Sequence, residues 1–313
     1  MVASYDSKPF VHRPVMVDEV VALVADLPAG DFLDATVGGG NHASAVLMAR
    51  ADLNLVGLDR DAMAIAAATS ALSAFAGRVR VRKTRFDQLA TVLDELGIER
   101  LSGFLFDLGV SSPQLDEAER GFSFRNDGPL DMRMDTDSPI KAEDIVNGYD
   151  HGRLARLIRE NSDERFAPRI AKAIIAARPI EGTARLAEVV ASAIPARARR
   201  GVGHPARRTF QAIRIEVNDE LGVIEPALQA ALDALDVGGR GMVLTYHSGE
   251  DRIVKDIFRR RTRSIDPPGL PVTTAEPAFQ LGRPQARRPG PAEQADNPRA
   301  SSARLRTIER RAA

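Results

Sequence analysis

The 313-residue chain contains no cysteine and no tryptophan. Without a thiol it cannot form disulfides, bind a metal through thiolates or use a cysteine nucleophile. Aromatic residues make up only 5% of the chain, so aliphatic side chains must fill the core. No apolar run reaches the length of about 18 residues that a membrane span needs. Charged residues interrupt the N-terminal segment, unlike in a signal peptide. We therefore expect a cytoplasmic protein with no membrane contact.

The chain has no excess of positive or negative charge either, because it contains 43 basic and 43 acidic residues. The overall charge therefore does not indicate a polyanionic partner, and any such indication must come from local clusters. At roughly 100–200 residues per domain, the length predicts about two domains.

Short apolar stretches alternate with helical periodicity over the first third of the chain, a pattern typical of βαβ units in a parallel sheet. The middle of the chain shows only helical periodicity, and a strand pattern returns at residues 241–246. The predicted strands cover residues 31–36, 54–58, 79–83, 104–107 and 241–246. We predict an α/β fold in which residues 1–113 and 215–313 form one discontinuous domain. Residues 114–214 would form an inserted all-helical domain, and the Pro- and Gly-rich segment 264–300 an irregular loop.

The segment "DATVGGGNH", residues 34–42, lies between a predicted strand and a predicted helix. Gly38, Gly40 and Ala43 fit the G-x-G-x-x-A pattern, in which glycines let the backbone approach a nucleotide at a helix N-terminus. A simple tight turn would show the same residues. Asp59 ends the next predicted strand, where an acid typically binds ribose hydroxyls. The pair favours a nucleoside site.

The acidic residues of this region indicate which nucleoside cofactor the site favours. Asp34, Asp59 and Asp107 all lie at the carboxyl ends of predicted parallel strands, where ligands of such sheets bind. A negatively charged crevice suits the sulfonium and ammonium of S-adenosylmethionine better than a pyrophosphate, although an NAD-dependent enzyme remains an alternative. Phe86, after the third strand, is either a cover for adenine or a core aromatic.

Six separated segments resemble the ribosomal RNA small subunit methyltransferase H family, from about residue 12 to residue 310. They read "DATVGGGNH", "FDLGVSSPQLDEAERGFSFRNDGPLDMRMD", "ERFAPRIAKAI", "HPARRTFQAIRIEVNDEL", "YHSGEDRIVK" and "NPRASSARLR". The resemblance implies a Rossmann-like, S-adenosylmethionine-dependent methyltransferase that modifies N4 of a cytidine in the decoding region of 16S rRNA. It implies 16S rRNA in the small ribosomal subunit as the partner. We infer no obligate protein partner, and no metal-ligand spacing is evident.

The resemblance also implies which residues bind the cofactor. The positions that match are Gly40, Asn41, His42, Asp59, Phe86, Asp107 and Gln114. Two positions depart from the family pattern. Asn41 replaces a glycine, which we expect the turn to accept because asparagine tolerates left-handed backbone angles. Gly249 replaces a leucine, which should loosen the loop after the last strand without abolishing function.

The exocyclic amine of cytosine is a poor nucleophile, so catalysis needs acceptors that orient it towards the methyl group. Asp107, at the end of a strand, is the best candidate, although it could bind only the cofactor. Ser111 and Ser112 follow it, where many amino-methyltransferases carry a short Asp/Asn-Pro-Pro-aromatic motif. His247 contacts the base or, with Glu250, orders its loop. Without an aromatic in the motif, base stacking would come from Phe122, Phe124 or Tyr246.

Basic clusters indicate RNA contacts despite the zero net charge. The candidates are Arg125, Arg133, Arg207 and Arg208. Arginines near aromatic side chains suit an unstacked base in a single-stranded segment, whereas any one charge run could also be a solvated helix face. Two other functions remain open. One is an N-methyltransferase acting on another nucleic acid, and the other is a non-catalytic ribosome assembly factor with a vestigial nucleoside pocket.

Overall fold

The structure is a computed structural model that describes residues 14–199, 203–263 and 276–312. Part of the predicted irregular loop, residues 264–275, therefore lies outside the described residues. No helix in the described ranges is long and apolar enough to cross a bilayer.

One seven-stranded sheet organises the chain, with the strand order β3-β2-β1-β4-β5-β7-β6. The first five strands run parallel, and β7 is antiparallel to both of its neighbours. The strands are β1 (Gly30–Asp34), β2 (Leu53–Asp59), β3 (Val79–Lys83), β4 (Leu101–Asp107), β5 (Leu235–Thr245), β6 (Phe279–Leu281) and β7 (Arg304–Arg310). This is a Rossmann-like α/β sheet, and the predicted fold class is confirmed.

Helices cover both faces of the sheet, because successive strand residues point to opposite sides. Leu33 and Phe104 enter the core on one face, and their neighbours Phe32 and Leu105 enter the core on the other. The helices of this domain are α1 (Val17–Val24), α2 (Asn41–Ala49), α3 (Ala62–Ala71), α4 (Leu89–Glu95), α5 (Ser112–Asp116), α12 (Ile224–Ala234), α13 (Ser248–Arg261) and α14 (Pro291–Asp296).

Between α5 and α12 the chain forms a helical region with its own core. Its apolar residues come from positions 130–217, and helix α7 packs against both α8 and α11. The helices are α6 (Ala142–Gly148), α7 (His151–Ser162), α8 (Ala167–Ala176), α9 (Thr183–Ala193), α10 (Ala196–Arg199) and α11 (Arg207–Asn218). The predicted boundary at residue 214 falls inside α11, whose Val217 still packs in this core.

Three features of the C-terminal part differ from the sequence prediction. Strand β5 begins at Leu235 rather than Gly241, because a register shift against β4 lets the chain pass through Gly238 at φ +78° without ending the strand. Within the described part of segment 264–300, the chain forms β6 and α14 rather than an irregular loop throughout. Strand β7 was not predicted at all, and it lies inside the sheet.

The sheet has a switch point between β1 and β4, where successive strands change from one side of the sheet to the other. Asp34 of β1 pairs in register with Leu105 of β4 and with Gly57 of β2. The ends of β1, β2 and β4 therefore meet at one edge, where open α/β sheets bind ligands.

Candidate active site

The glycine turn after β1 leaves room for a ligand. Gly38 has φ +50° and Gly40 has φ +81°. A Cβ added at Gly38 would meet nothing nearer than the Thr36 carbonyl oxygen at 3.8 Å, so this glycine faces open space. At Gly40 a Cβ would lie 3.2 Å from the Leu72 side chain, so that glycine is needed for packing against α3. The backbone at Gly38 is therefore accessible to a bound group, as a nucleoside site requires.

Asn41 occupies an ordinary helical position at the start of α2, and its side chain is exposed. The left-handed residue of this turn is Gly40, immediately before it. The expectation that Asn41 is accepted because of its tolerance for left-handed angles therefore gave the wrong reason. The turn places no unusual backbone demand on position 41.

The three predicted acids meet at the switch-point edge. Burial and the nearby carboxylates of Asp107 and Asp59 raise the pKa of Asp34 to about 8, although the Thr36 backbone N–H donates to it at 3.2 Å. Burial also raises the pKa of Asp59, against hydrogen bonds from the backbone N–H groups of Asp61 (2.9 Å) and Gly38 (3.0 Å). Burial is the largest cause of both shifts, so the ionised forms of these carboxyls lack compensating positive charge. The crevice therefore fits a cationic ligand.

Asp107 is held from three directions. Its Oδ1 accepts a 2.6 Å hydrogen bond from the Tyr246 hydroxyl, and its backbone N–H donates to Thr36 Oγ1 at 2.6 Å. Its Oδ2 lies 3.6 Å from His42 Nδ1, whose other ring nitrogen is 2.9 Å from the Val15 carbonyl oxygen. Because a carbonyl only accepts, His42 Nε2 carries hydrogen, and Nδ1 can donate to Asp107 only in the imidazolium form.

Sequence reasoning missed the contact between Tyr246 and Asp107. Burial and the Asp107 carboxylate raise the pKa of Tyr246 well above its usual value, so the phenol remains a donor. Its ring lies against Gly109, where an added Cβ would be 3.3 Å from the ring. The available signal was its position at the end of β5, the neighbour of β4.

The other two candidate stacking residues lie elsewhere. Phe122 is buried beneath the Arg120 guanidinium, 5.8 Å from ring centre to Arg120 Cζ. Phe124 stacks on His204 with ring centroids 4.3 Å apart and packs against the helical core. Tyr246 is therefore the candidate that the fold places beside Asp107.

The loop after β4 uses its polar groups to build local structure. Ser111 begins α5 in a capping box, in which its backbone N–H donates to Gln114 Oε1 at 3.0 Å. The Ser112 hydroxyl accepts from Arg299, whose other nitrogen donates to Asp116 at 2.6 Å. Gln114 is buried, and its Nε2 donates to Asp61 Oδ2 at 2.9 Å. The serines thus follow Asp107 as predicted, but both hydroxyls contact protein groups.

Phe86 is half buried and makes an edge-to-face contact with Phe106, with centroids 5.5 Å apart. One edge of the ring therefore belongs to the core beneath β4. Because Phe86 follows β3, beside the end of β2, it lies next to the strand that presents Asp59. The geometry is compatible with both of its predicted roles.

His247 and Glu250 organise the turn that carries Tyr246. His247 Nδ1 caps α13 by accepting from the Gly249 N–H at 3.2 Å. Glu250 Oε2 accepts from the backbone N–H of Tyr246 at 2.7 Å. The expectation that Gly249 loosens a loop is not what the structure shows, because Gly249 lies in the first turn of this capped helix.

Glu220, His247 and Glu250 place three ligand-type atoms within 4.8 Å of one another. The Arg214 guanidinium already donates to both carboxylate oxygens of Glu220, at 2.7 Å each. His247 Nδ1 receives the helix-capping hydrogen bond, which leaves the ring hydrogen of the neutral form on Nε2. Arg214 therefore supplies the positive charge of this cluster, and neither nitrogen of His247 is prepared for a metal.

The predicted RNA-binding arginines differ in their surroundings. Arg125 and Arg207 are exposed and have no ion-pair partner among the described residues. Arg133 donates to Asp131 and to two backbone carbonyls, and Arg208 reaches the Asp163 carbonyl oxygen at 3.4 Å. Sequence reasoning missed an open cleft of about 480 Å³ in the helical region. It is lined by Arg165, Phe166, Arg197 and Ala198.

The sheet order, the glycine turn after β1 and the acidic switch-point edge define a Rossmann-like methyltransferase. The chain belongs to the MraW methylase family, whose model matches residues 9–311. It is 50% identical over 307 residues to the ribosomal RNA small subunit methyltransferase H of Thermobifida fusca, covering 96% of this chain and 93% of that one. The protein of the same name from Symbiobacterium thermophilum is 48% identical, with 96% of each chain covered.

Among solved structures, an rRNA methylase from Streptococcus thermophilus superposes with a TM-score of 0.43 at 13% identity, covering 97% of this chain and 99% of that chain. The family match confirms the resemblance recognised in the sequence and the methyltransferase class. It also indicates S-adenosylmethionine as the methyl donor.

Proposed function

We propose that the protein transfers a methyl group from S-adenosylmethionine to N4 of a cytidine in the decoding region of 16S rRNA. The name shared by its relatives supports ribosomal RNA of the small subunit as the substrate. The observation that carries the chemistry is the carboxylate of Asp107, held by Tyr246 at the edge of the acidic crevice.

The residues that would hold the methyl donor are those of the crevice. Asp59 would bind the ribose hydroxyls, and the open backbone at Gly38 would pass beneath the nucleoside. Asp34 would face the positively charged end of the ligand, whose charge would favour the ionised form of this carboxyl. Phe86 would lie against the adenine, and His42 and Gln114 would complete the walls. When bound, S-adenosylmethionine supplies an electrophilic methyl group.

Asp107 would accept a hydrogen bond from the cytosine amine. Such a contact directs the nitrogen lone pair away from the carboxylate, and positioning of this kind supplies much of the acceleration when two reactants meet in a fixed geometry. The same carboxylate would take the proton that the amine loses as the new N–C bond forms. Tyr246 fixes the orientation of the Asp107 carboxylate, and the amine would approach Oδ2, which lies 3.6 Å from His42 Nδ1.

The helical region would bind the RNA around the target base. Arg125 and Arg207 are exposed for phosphates, and the cleft at Phe166 combines an aromatic floor with two arginines. A base that reacts at its exocyclic amine has to leave its stack, and aromatic and arginine side chains suit the unstacked nucleotides nearby. The proposed setting is the small ribosomal subunit in the cytoplasm.

Methylation of defined substrates tests this function. Purified protein and labelled S-adenosylmethionine would be incubated with small subunits from a strain lacking the enzyme, with naked 16S rRNA and with single-stranded DNA. We expect N4-methylcytidine, identified by mass spectrometry of nucleosides, from the ribosomal substrates only. Methylated DNA would favour the alternative of another nucleic acid substrate. RNA binding without any S-adenosylmethionine binding in calorimetry would favour the assembly-factor alternative and contradict the proposal.

A further inference from the structure

Two side chains from the region after β4 converge on one oxygen atom of Asp61, which the proposed chemistry does not use. Asp61 Oδ2 accepts from Gln114 Nε2 at 2.9 Å and from Arg120 Nη2 at 2.8 Å. The other oxygen, Oδ1, caps α3 by accepting from the Met63 N–H at 3.0 Å. The Asp61 N–H in turn donates to Asp59 Oδ1 at 2.9 Å. Asp61 therefore joins the ribose-binding strand end to the loop after β4 and to Arg120.

Arg120 carries this connection into the helical region. The same Nη2 lies 3.0 Å from the carbonyl oxygen of Arg133 and 3.1 Å from that of Met134. The Met134 N–H donates to Asn218 Oδ1 at 2.8 Å, at the end of α11. A second link runs beside it, because Arg60 Nη1 donates to the Asn218 carbonyl oxygen at 2.7 Å. A continuous hydrogen-bond network thus connects the cofactor crevice with helix α11.

The network depends on the ion pair between Asp61 and Arg120 because both side chains are buried. Arg120 is 8% exposed and Asp61 is 4% exposed. A buried charge that loses its partner is costly, so the two side chains are stable in this place only together. Nη2 carries two hydrogens for its three acceptors, so at least one hydrogen is shared, and Nη1 also points to Met63 Sδ at 3.7 Å. A lysine ammonium has no second nitrogen with which to reproduce this fork.

We propose that Arg120 is a positioning residue that couples binding of the methyl donor to binding of RNA. This inference rests on the proposed function. A nucleoside that engages Asp59 fixes Asp61 through the hydrogen bond between them, and Arg120 transmits that constraint to residues 133–134 and α11. The first turn of α11 carries Arg207 and Arg208, two of the proposed RNA contacts.

Coupling of this kind is reciprocal by thermodynamic necessity. If the methyl donor or its product raises the affinity for RNA by some factor, RNA must raise the affinity for that ligand by the same factor. Coupling between two sites is typically about 5- to 150-fold. A contribution to folding alone would lower stability without creating any such dependence of one affinity on the other.

The test measures this factor directly. RNA affinity would be measured by fluorescence anisotropy with and without saturating S-adenosylhomocysteine, the product form of the donor, which keeps chemistry from occurring. We expect a ratio of about fivefold or more in the unchanged protein. In Arg120→Lys the ratio should fall to about one, while both ligands still bind. Calorimetry of S-adenosylhomocysteine with and without RNA should give the same ratio.

Arg78→Lys is the matched control. Like Arg120, Arg78 donates to backbone carbonyls, here those of Arg50, Leu53 and Leu47, but it does so at the opposite edge of the sheet. This variant should keep the ratio of the unchanged protein. If Arg120→Lys does not fold, Asp61→Asn serves instead, since its amide oxygen can still cap α3 while the ion pair is lost.

Two results would overturn the inference. One is a ratio near one in the unchanged protein, and the other is a folded Arg120 or Asp61 variant that keeps the full ratio. Both would leave the proposed function standing, because each ligand would still bind and methylation would proceed. Absence of RNA binding in the unchanged protein would instead contradict the proposed function, and the coupling with it.

Discussion

The hydroxyl of Tyr246 donates a 2.6 Å hydrogen bond to Oδ1 of Asp107, across the neighbouring strands β5 and β4. This hydrogen bond between Tyr246 and Asp107 fixes the orientation of a carboxylate whose Oδ2 also lies 3.6 Å from His42 Nδ1. The two side chains should therefore act together in catalysis, and their contributions can be separated by substitution.

Asp107→Asn should reduce kcat by about 100-fold or more, the usual loss when a positioned proton acceptor is removed. The amide keeps the shape of the side chain, so the affinity for S-adenosylmethionine should change little. Single-turnover methylation and calorimetry measure the two quantities. A variant that loses cofactor affinity in parallel with activity would make Asp107 a cofactor ligand instead.

Tyr246→Phe should lower kcat by about 10- to 100-fold, because a hydrogen bond to a charged group is worth about 1.5–3 kcal/mol. Tyr149→Phe provides a comparison, since that hydroxyl also donates to a carboxylate, Glu216 at 3.1 Å, but within the helical region. Equal activity in Tyr246→Phe and the unchanged protein would contradict a role in holding Asp107.

Binding of the methyl donor should release a proton near pH 7. The pKa of Asp34 is about 8 in the free protein, so its carboxyl is mostly protonated at this pH. A cation placed beside it lowers that pKa, and up to ~0.9 proton should leave. Calorimetry in buffers of different ionisation enthalpy measures the number. Asp34→Asn should abolish the release, and a release that persists in this variant would assign it to another group.

The same carboxyl should make the stability of the free protein depend on pH. Between its unfolded pKa of 3.8 and its folded pKa of about 8, the folded state keeps a proton that the unfolded state loses. The free energy of unfolding should therefore fall as pH rises through this window, by about 1.4 kcal/mol per pH unit at most. Urea titrations of the unchanged protein and Asp34→Asn between pH 5 and 8 should diverge, with only the unchanged protein showing this slope.

Reversing the charge of two exposed arginines should weaken RNA binding through electrostatics. Arg125→Glu with Arg207→Glu should lower affinity by about tenfold or more and make it less dependent on salt, because fewer counterions are released. Arg185→Glu is the control, since Arg185 is exposed on α9 but pairs with Glu188. An effect of equal size in the control would indicate a loss of overall charge and no particular RNA surface.

The acidic edge could be predicted because parallel strands fix where their ends meet. Asp34, Asp59 and Asp107 each close a strand with a clear apolar pattern, so topology alone brings them together. Strand β7 could not be found in this way. Arg304 and Arg306 alternate with its buried residues, and both form ion pairs with Asp251 of α13. The sequence around these arginines does not indicate that pairing.

Contacts between distant segments were also beyond the sequence. Arg120 and Asp61 are separated by the strands β3 and β4 and the helices α3, α4 and α5, and their pairing depends on the path of the loop after β4. Ser112 was predicted beside the amine, but its hydroxyl contacts Arg299 from near the end of the chain. The residue types indicated side chains able to form hydrogen bonds and ion pairs, but only the fold determined their partners.

Strand β7 follows every other strand in the chain, yet it lies between β5 and β6 within the sheet. During synthesis, the edge of β5 therefore stays unpaired until residues 304–310 have left the ribosome. Because Tyr246 directly follows β5, the site reaches its final form only after residues 304–310 have been translated. A nascent chain that stops before this point has an open sheet edge, which chaperones recognise and other chains can pair with.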